Sequence, residues 1–194
     1  MQQLPIHKTT RDAFAAYLAR HLQEAARLHA LRDQLAHDAA VFDRSNMAGH
    51  ITSSVLVFDP PHRRVLLIHH KVYRMWMQPG GHVERDAANL LASGLREVEE
   101  ETGLPATSVQ PLLHGKALDI DTHAIAARPA KGEGPHWHHD FLFLAVAAQP
   151  FDPVPQVEEV NGVEWLPIDD FLGIPGARMQ HLAPKLRQFL AART

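Results

Sequence analysis

Residues 80–104, "GGHVERDAANLLASGLREVEEETGL", restrict the fold of this chain more than any other stretch. "MWMQPGGHVERDA" is a breaker-rich loop, and Asp86 or Asn89 is placed to cap the helix that follows it. Leu91, Leu95 and Val98 give that helix a buried stripe, Gly103 ends it and Pro105 keeps it from resuming. Gly94 lies in its interior at a cost of roughly 1 kcal/mol relative to Ala, which predicts close approach of another backbone. The last turns carry Glu97, Glu99, Glu100 and Glu101, where the helix dipole and mutual repulsion oppose each by a few tenths to about 1 kcal/mol.

Folding alone does not account for those acids. Glu97, Glu100 and Glu101 stand at i, i+3 and i+4 and converge on one patch, while Glu99 points elsewhere. Three carboxylates on one face suit a hard divalent cation such as Mg²⁺ or Mn²⁺, and a bound cation reverses the repulsion. Arg96 reaches Glu100 one turn on. A solvated acidic face would look the same, but it leaves the paired glycines upstream unexplained; glycines there let backbone approach a ligand.

At 194 residues the chain is long enough for one domain with a sizeable core. No apolar run approaches the ~18 residues of a membrane span, and the N-terminus does not read as a secretory signal. A cytoplasmic protein is expected. The absence of cysteine excludes disulfides and thiolate metal sites, so any metal is held by oxygen or imidazole. A formal charge of −3, with scattered Lys and Arg, shows no footprint for long nucleic acid.

Residues 10–37 carry apolar side chains at three- and four-residue steps, the pattern of an amphipathic helix, bent or split in two. It packs on the main domain or mediates a homodimer. "ITSSVLVFD" and "RVLLIHH" read as a hairpin across "PPHR"; further strands are expected in residues 108–127, 136–148 and 162–168, and a closing helix in 177–193. The class is α/β or α+β, not a doubly wound parallel sheet.

The run from Gly81 to Leu104 resembles the Nudix box, G-x5-E-x7-R-E-U-x-E-E-x-G-U with U a bulky aliphatic residue. Arg96, Glu97, Val98, Glu100, Glu101, Gly103 and Leu104 match its second half without a gap. The first half has one residue more than the pattern, and Ala88 stands where the early Glu belongs; Asp86 or Glu84 is the candidate substitute. The resemblance covers about residues 47–171 and leaves an N-terminal helical extension, residues 1–46, before a domain of residues 47–194.

The resemblance implies an α/β/α sandwich with a mixed sheet and metal-dependent hydrolysis of a diphosphate in a nucleoside diphosphate joined to another group. By the same analogy Gly80, Glu97, Glu100 and Glu101 manage Mg²⁺, and a further Glu comes from a loop before the last strand, Glu159 first and Glu158 second. Glu97 or Glu159 would take a proton from the attacking water. The rival reading is a Nudix-like nucleotide-binding or sensor domain without turnover. Isoprene diphosphate isomerisation is disfavoured, because that chemistry resembles one needing a cysteine.

Histidine is abundant, with 15 residues. In extended chain Asp119, Asp121 and His123 share one side, as do His136, His138 and Asp140, and pairing of the two strands would bring the sets together. They read as hydrogen-bonded polar residues on a half-exposed sheet, as contacts for substrate phosphate, or as ligands of a transition metal. His82, beside the glycines, is a candidate for substrate or phosphate contact. Trp76 reads as core; Tyr73, Trp137 and Phe151 remain candidates for base stacking.

Overall fold

The computed structural model describes residues 5–129, 132–156 and 160–193. Its centre is a parallel pair of strands, β1 (His50–Phe58) and β7 (His136–Ala147), in register from His50 opposite His138 to Phe58 opposite Val146. β1 is buried along its whole length, as a strand covered on both faces must be. β2 (Arg64–His70), β4 (Gly80–His82), β5 (Val109–Pro111) and β6 (Asp119–Ile125) add to this pair antiparallel. β3 (Trp76–Met77) and β8 (Val160–Pro167) pair with β2. The sheet is therefore mixed.

β1 and β2 form the expected hairpin only near its turn, where Phe58 faces Val65. Beyond it β2 pairs mainly with β8 and β1 with β7, so the strands diverge. The stretch expected as pure loop contains two short strands, β3 and β4. Gly80–His82 has little strand propensity of its own, and its conformation comes from pairing with Ser54, Ser53 and Thr52.

Helices cover both faces. On one side α3 (Leu90–Thr102) packs Leu90 and Val98 against Ile51, Val55 and Val57. On the other, α4 (Ile168–Leu172) and α5 (Ala177–Ala191) bring Phe171, Leu182, Leu186 and Phe189 onto Leu56, Phe58, Leu142 and Leu144. The alternation along β1 assigns its odd residues to the α3 face and its even residues to the α5 face. This is the expected α/β/α sandwich. Among the described residues no helix is long and apolar enough to cross a membrane.

The N-terminal segment is two helices, α1 (Pro5–Arg20) and α2 (His29–His37), separated by a 3₁₀ turn at Leu22–Glu24. Phe14, Tyr17, Leu28, Leu31 and Leu35 join the same core as Ile51, Val98 and Phe141. The apolar stripe is thus consumed within the protomer, although Leu22 stays 75% exposed. The helices are also tied down by charge. Lys185 of α5 sits 2.5 Å from both Glu24 and Asp119 and 2.7 Å from the Tyr17 hydroxyl, and Arg27 adds a 2.5 Å contact to Glu24.

That cluster sets an acid limit on stability. Burial opposes ionisation of Glu24, but hydrogen bonds from Lys185, Tyr17 and Arg27 outweigh it and bring its pKa from an ordinary 4.5 down to about 2. The folded pKa lies below the unfolded one, so the native state prefers the charged form. The resulting stability is full above pH 4.5 and is lost as pH falls through about 2. In urea titrations the midpoint of the wild type should fall steadily over that window, and Glu24→Gln should flatten the fall.

Candidate active site

α3 starts and stops as its residues dictate. The Asn89 side chain accepts a hydrogen bond from the Ala92 N–H at 2.9 Å, so Asn89 and not Asp86 is the cap. Gly103, at φ 72°, ends the helix in the left-handed conformation that glycine adopts without strain. Gly94 permits the expected close approach, chiefly to side chains: a Cβ there would lie 2.8 Å from Val55 Cγ2 and 2.9 Å from Ser53 Oγ.

The glycine strand and the acidic end of α3 meet directly. The Gly80 N–H donates to Glu101 at 3.0 Å. A Cβ at Gly81 would fall 2.6 Å from the Glu97 carboxyl group, so only glycine leaves room for that acid. Arg96 holds two acids at once, Glu97 at 2.5 Å and Glu100, and donates to the His82 carbonyl at 3.3 Å. Burial works against the Arg96 charge, but Glu100 and Glu97 prevail and raise its pKa. Glu99 turns away and accepts from the Ala106 N–H.

Glu97 and Glu101 are buried, at 9% and 4% exposure, whereas Glu100 is open to solvent. Beside them lies a cleft of about 490 Å³ lined by Glu84, Asp86, Ala87, Ala92, Ser93, Arg96 and Glu100. Both candidate substitutes for the early box glutamate therefore border the same hollow as Glu100. The structure gathers Gly80, Arg96, Glu97, Glu100 and Glu101. Glu158 and Glu159 lie outside the described residues.

The second constellation forms on the opposite face. β6 and β7 pair with His123 opposite His138 and Asp121 opposite Asp140. Asp140 does not turn to the histidines: it accepts from Thr52 at 3.1 Å, Ser54 at 2.6 Å and Arg178 at 2.6 Å. Burial disfavours the Arg178 charge, and Asp140, Asp119 and Asp121 overcome it and raise its pKa. His123 pairs with Asp121 at 2.9 Å. His82 and His138 instead converge with His50 and His136. Burial, helped by the neighbouring rings, lowers the pKa of His82 to about 4 and of His138 to about 2, so both are neutral at pH 7.

The His82 ring therefore faces away from Glu97, since side chains alternate along a strand and Gly81 occupies the α3 side. Trp76 packs against the α5-side core, and Trp137 is 47% exposed. His50, Thr52, Ser54 and Arg178 carry no signal of their own in the sequence, because only the β1–β7 pairing and the position of α5 bring them to these groups.

Comparison with known proteins agrees with this geometry. The family model described as NUDIX domain matches residues 49–191. The human m7GpppN-mRNA hydrolase NUDT17 is 32% identical over 127 residues, 58% of this chain and 38% of that protein. Nudix hydrolase 6 of Arabidopsis thaliana is 26% identical over 148 residues, 71% of this chain and 46% of its own length. This chain thus spans less than half of either curated relative. The crystal structure of a C. elegans Ap4A hydrolase binary complex superposes with a TM-score of 0.56 at 20% identity, covering 73% of this chain and 98% of that one. A helix whose acids close on a glycine strand, a mixed sheet between helical layers and a matching family model over most of the chain make this protein a member of the NUDIX domain family.

Proposed function

We propose that this chain is a nucleotide pyrophosphohydrolase, hydrolysing a diphosphate bond in a nucleoside diphosphate linked to another moiety, with Mg²⁺ or Mn²⁺ as cofactor. The observation that carries the reading is the closure of Glu97 and Glu101 on the Gly80–Gly81 strand, with Glu100 tied to Glu97 through Arg96. Relatives support it in kind: one is named for hydrolysis of an mRNA cap and a structural neighbour for hydrolysis of Ap4A, each a nucleotide joined through phosphates. The compartment we assign is the cytoplasm, and the substrate is a small nucleotide. We treat residues 1–46 as an extension to the hydrolase domain of residues 47–194.

The donor set fits a hard divalent cation. Glu84, Asp86 and Glu100 border the cleft with Arg96 as the one basic side chain among its described lining residues, so an anionic diphosphate meets net repulsion there without added positive charge. Glu97, Glu100, Glu101 and, by family analogy, Gly80 and Glu159 would hold the ions, all through oxygen. Bound there, they would offset phosphate charge and activate water.

The chain's own part is positioning. Arg96 fixes the spacing of Glu97 and Glu100, and the Gly80 N–H fixes Glu101, so the acids are in place before substrate arrives. Glu97, kept close to the glycine strand, is the proton acceptor we assign for the attacking water, with Glu159 the alternative. Purified protein incubated with nucleotide sugars, ADP-ribose, dinucleoside polyphosphates and oxidised nucleoside triphosphates should release products from at least one class only when Mg²⁺ or Mn²⁺ is present. No turnover of any of them with either metal would favour the sensor reading.

A further inference from the structure

On the α5 face of the sheet, four histidines from three strands point their rings at one another: His50 of β1, His82 of β4, and His136 and His138 of β7. The Nε2 atoms of His50 and His82 are 3.1 Å apart, and those of His136 and His138 are 3.2 Å apart. His50, His136 and His138 each present a ring nitrogen within 4.8 Å of the others. His50 and His136 are almost fully buried, at 1% and 5% exposure.

Outer contacts fix two of the tautomers. His136 Nδ1 lies 2.8 Å from the Gly134 carbonyl and His50 Nδ1 lies 3.3 Å from the Asn46 carbonyl. A carbonyl oxygen only accepts, so each Nδ1 carries the proton and each Nε2 turns a lone pair inward. Each of the two inward lone pairs is met by another imidazole nitrogen at about 3 Å; the ring nitrogens of His50, His136 and His138 form one group, and His82 joins it through His50.

We propose that His50, His82, His136 and His138 bind one tetrahedral transition-metal ion, zinc first among them, as a structural clip joining β1, β4 and β7. Zinc–imidazole bonds of ~2.0–2.1 Å put tetrahedral ligand atoms ~3.3–3.4 Å apart. The two observed separations are within a few tenths of an ångström of that spacing. Four imidazole nitrogens suit a borderline ion and not Mg²⁺, which takes oxygen. Hydrogen bonds from Nδ1 to backbone carbonyls are the usual outer support of a metal-binding histidine. Four protein ligands leave no open position, which makes the site structural.

The site is separate from the carboxylates yet mechanically joined to them. His82 is the residue after Gly81, and its carbonyl accepts from Arg96, which grips Glu97 and Glu100. An ion on the His82 ring would hold the glycine strand from behind while the acids act in front. His123 stands outside this group: its ring lies 5.7 Å from that of His138 between centroids, and its Nδ1 is 2.9 Å from Asp121.

The test uses untagged protein purified without metal resin, dialysed against zinc-free buffer, and then equilibrated with zinc and desalted. Elemental analysis should find about one zinc per chain, and Co²⁺ in its place should give the intense visible absorption of a tetrahedral complex. Added zinc should raise the melting temperature of the wild type. His138→Gln should retain below about a tenth of an equivalent and show no zinc-dependent shift, whereas Glu100→Gln should bind zinc as the wild type does. Because Glu100→Gln removes the proposed hydrolytic machinery and spares the histidines, the two readings fail separately. Wild type that neither holds zinc after desalting nor melts higher with it would overturn the clip, whatever the folding of His138→Gln. So would zinc lost equally from Glu100→Gln, or a Co²⁺ spectrum of octahedral type.

Discussion

Glu100→Gln should lower kcat by at least about 10²-fold while moving the melting temperature by no more than about 1 °C, as expected of a solvent-exposed substitution. Glu100 is open to solvent, and Arg96 pairs with its carboxylate. Gln keeps the shape and removes the charge. Its loss therefore reports on cation binding and phosphate neutralisation, where a charge-bearing ligand contributes several kcal/mol. Glu101→Gln is the companion case. Its buried amide oxygen can still accept from the Gly80 N–H, so the contact at 3.0 Å survives as the activity drops. Steady-state kinetics on whichever substrate the nucleotide panel identifies, run across a Mg²⁺ series, is the measurement. Wild-type turnover in both variants would remove the acids from the reaction.

The second large effect belongs to stability. Lys185→Met should destabilise the protein by roughly 3–5 kcal/mol, the cost of removing one member of a buried charge set. Lys185 is 9% exposed at its side chain, and it contacts Glu24 and Asp119 at 2.5 Å and Tyr17 at 2.7 Å. Met fills the volume but leaves Arg27 to face both acids, at 2.5 Å from Glu24 and 4.0 Å from Asp119. Against a typical total of ~5–15 kcal/mol this is a large share. Urea unfolding should show a lower midpoint at an unchanged slope. The double variant Lys185→Met with Glu24→Gln should recover part of the loss, because the uncompensated charge is then gone.

Local chemistry makes α3 legible in the sequence. Capping by Asn89, the stop at Gly103 and the outward turn of Glu99 all follow from residues within a few positions of one another. The break between α1 and α2 and the layered arrangement are legible too, through periodicity and through the resemblance carried by residues 96–104. Long-range pairing is not. No pattern in the chain announces that His50 will lie opposite His138, since parallel pairing depends on everything packed between the two strands. Arg178 and Lys185 are opaque for a related reason: on a helix near the C-terminus they look like ordinary exposed cations until α5 docks on Asp140 and Asp119.

The family signature begins at residue 49, but the packing does not. A clone trimmed to that boundary would keep every box residue intact and still strip the lid from Ile51 and Phe141, leaving a greasy scar beside an Asp119 deprived of Tyr17 and Arg27. The smallest autonomous unit is therefore larger than the motif that identifies it, and truncations meant to isolate the catalytic half should spare the segment ahead of it.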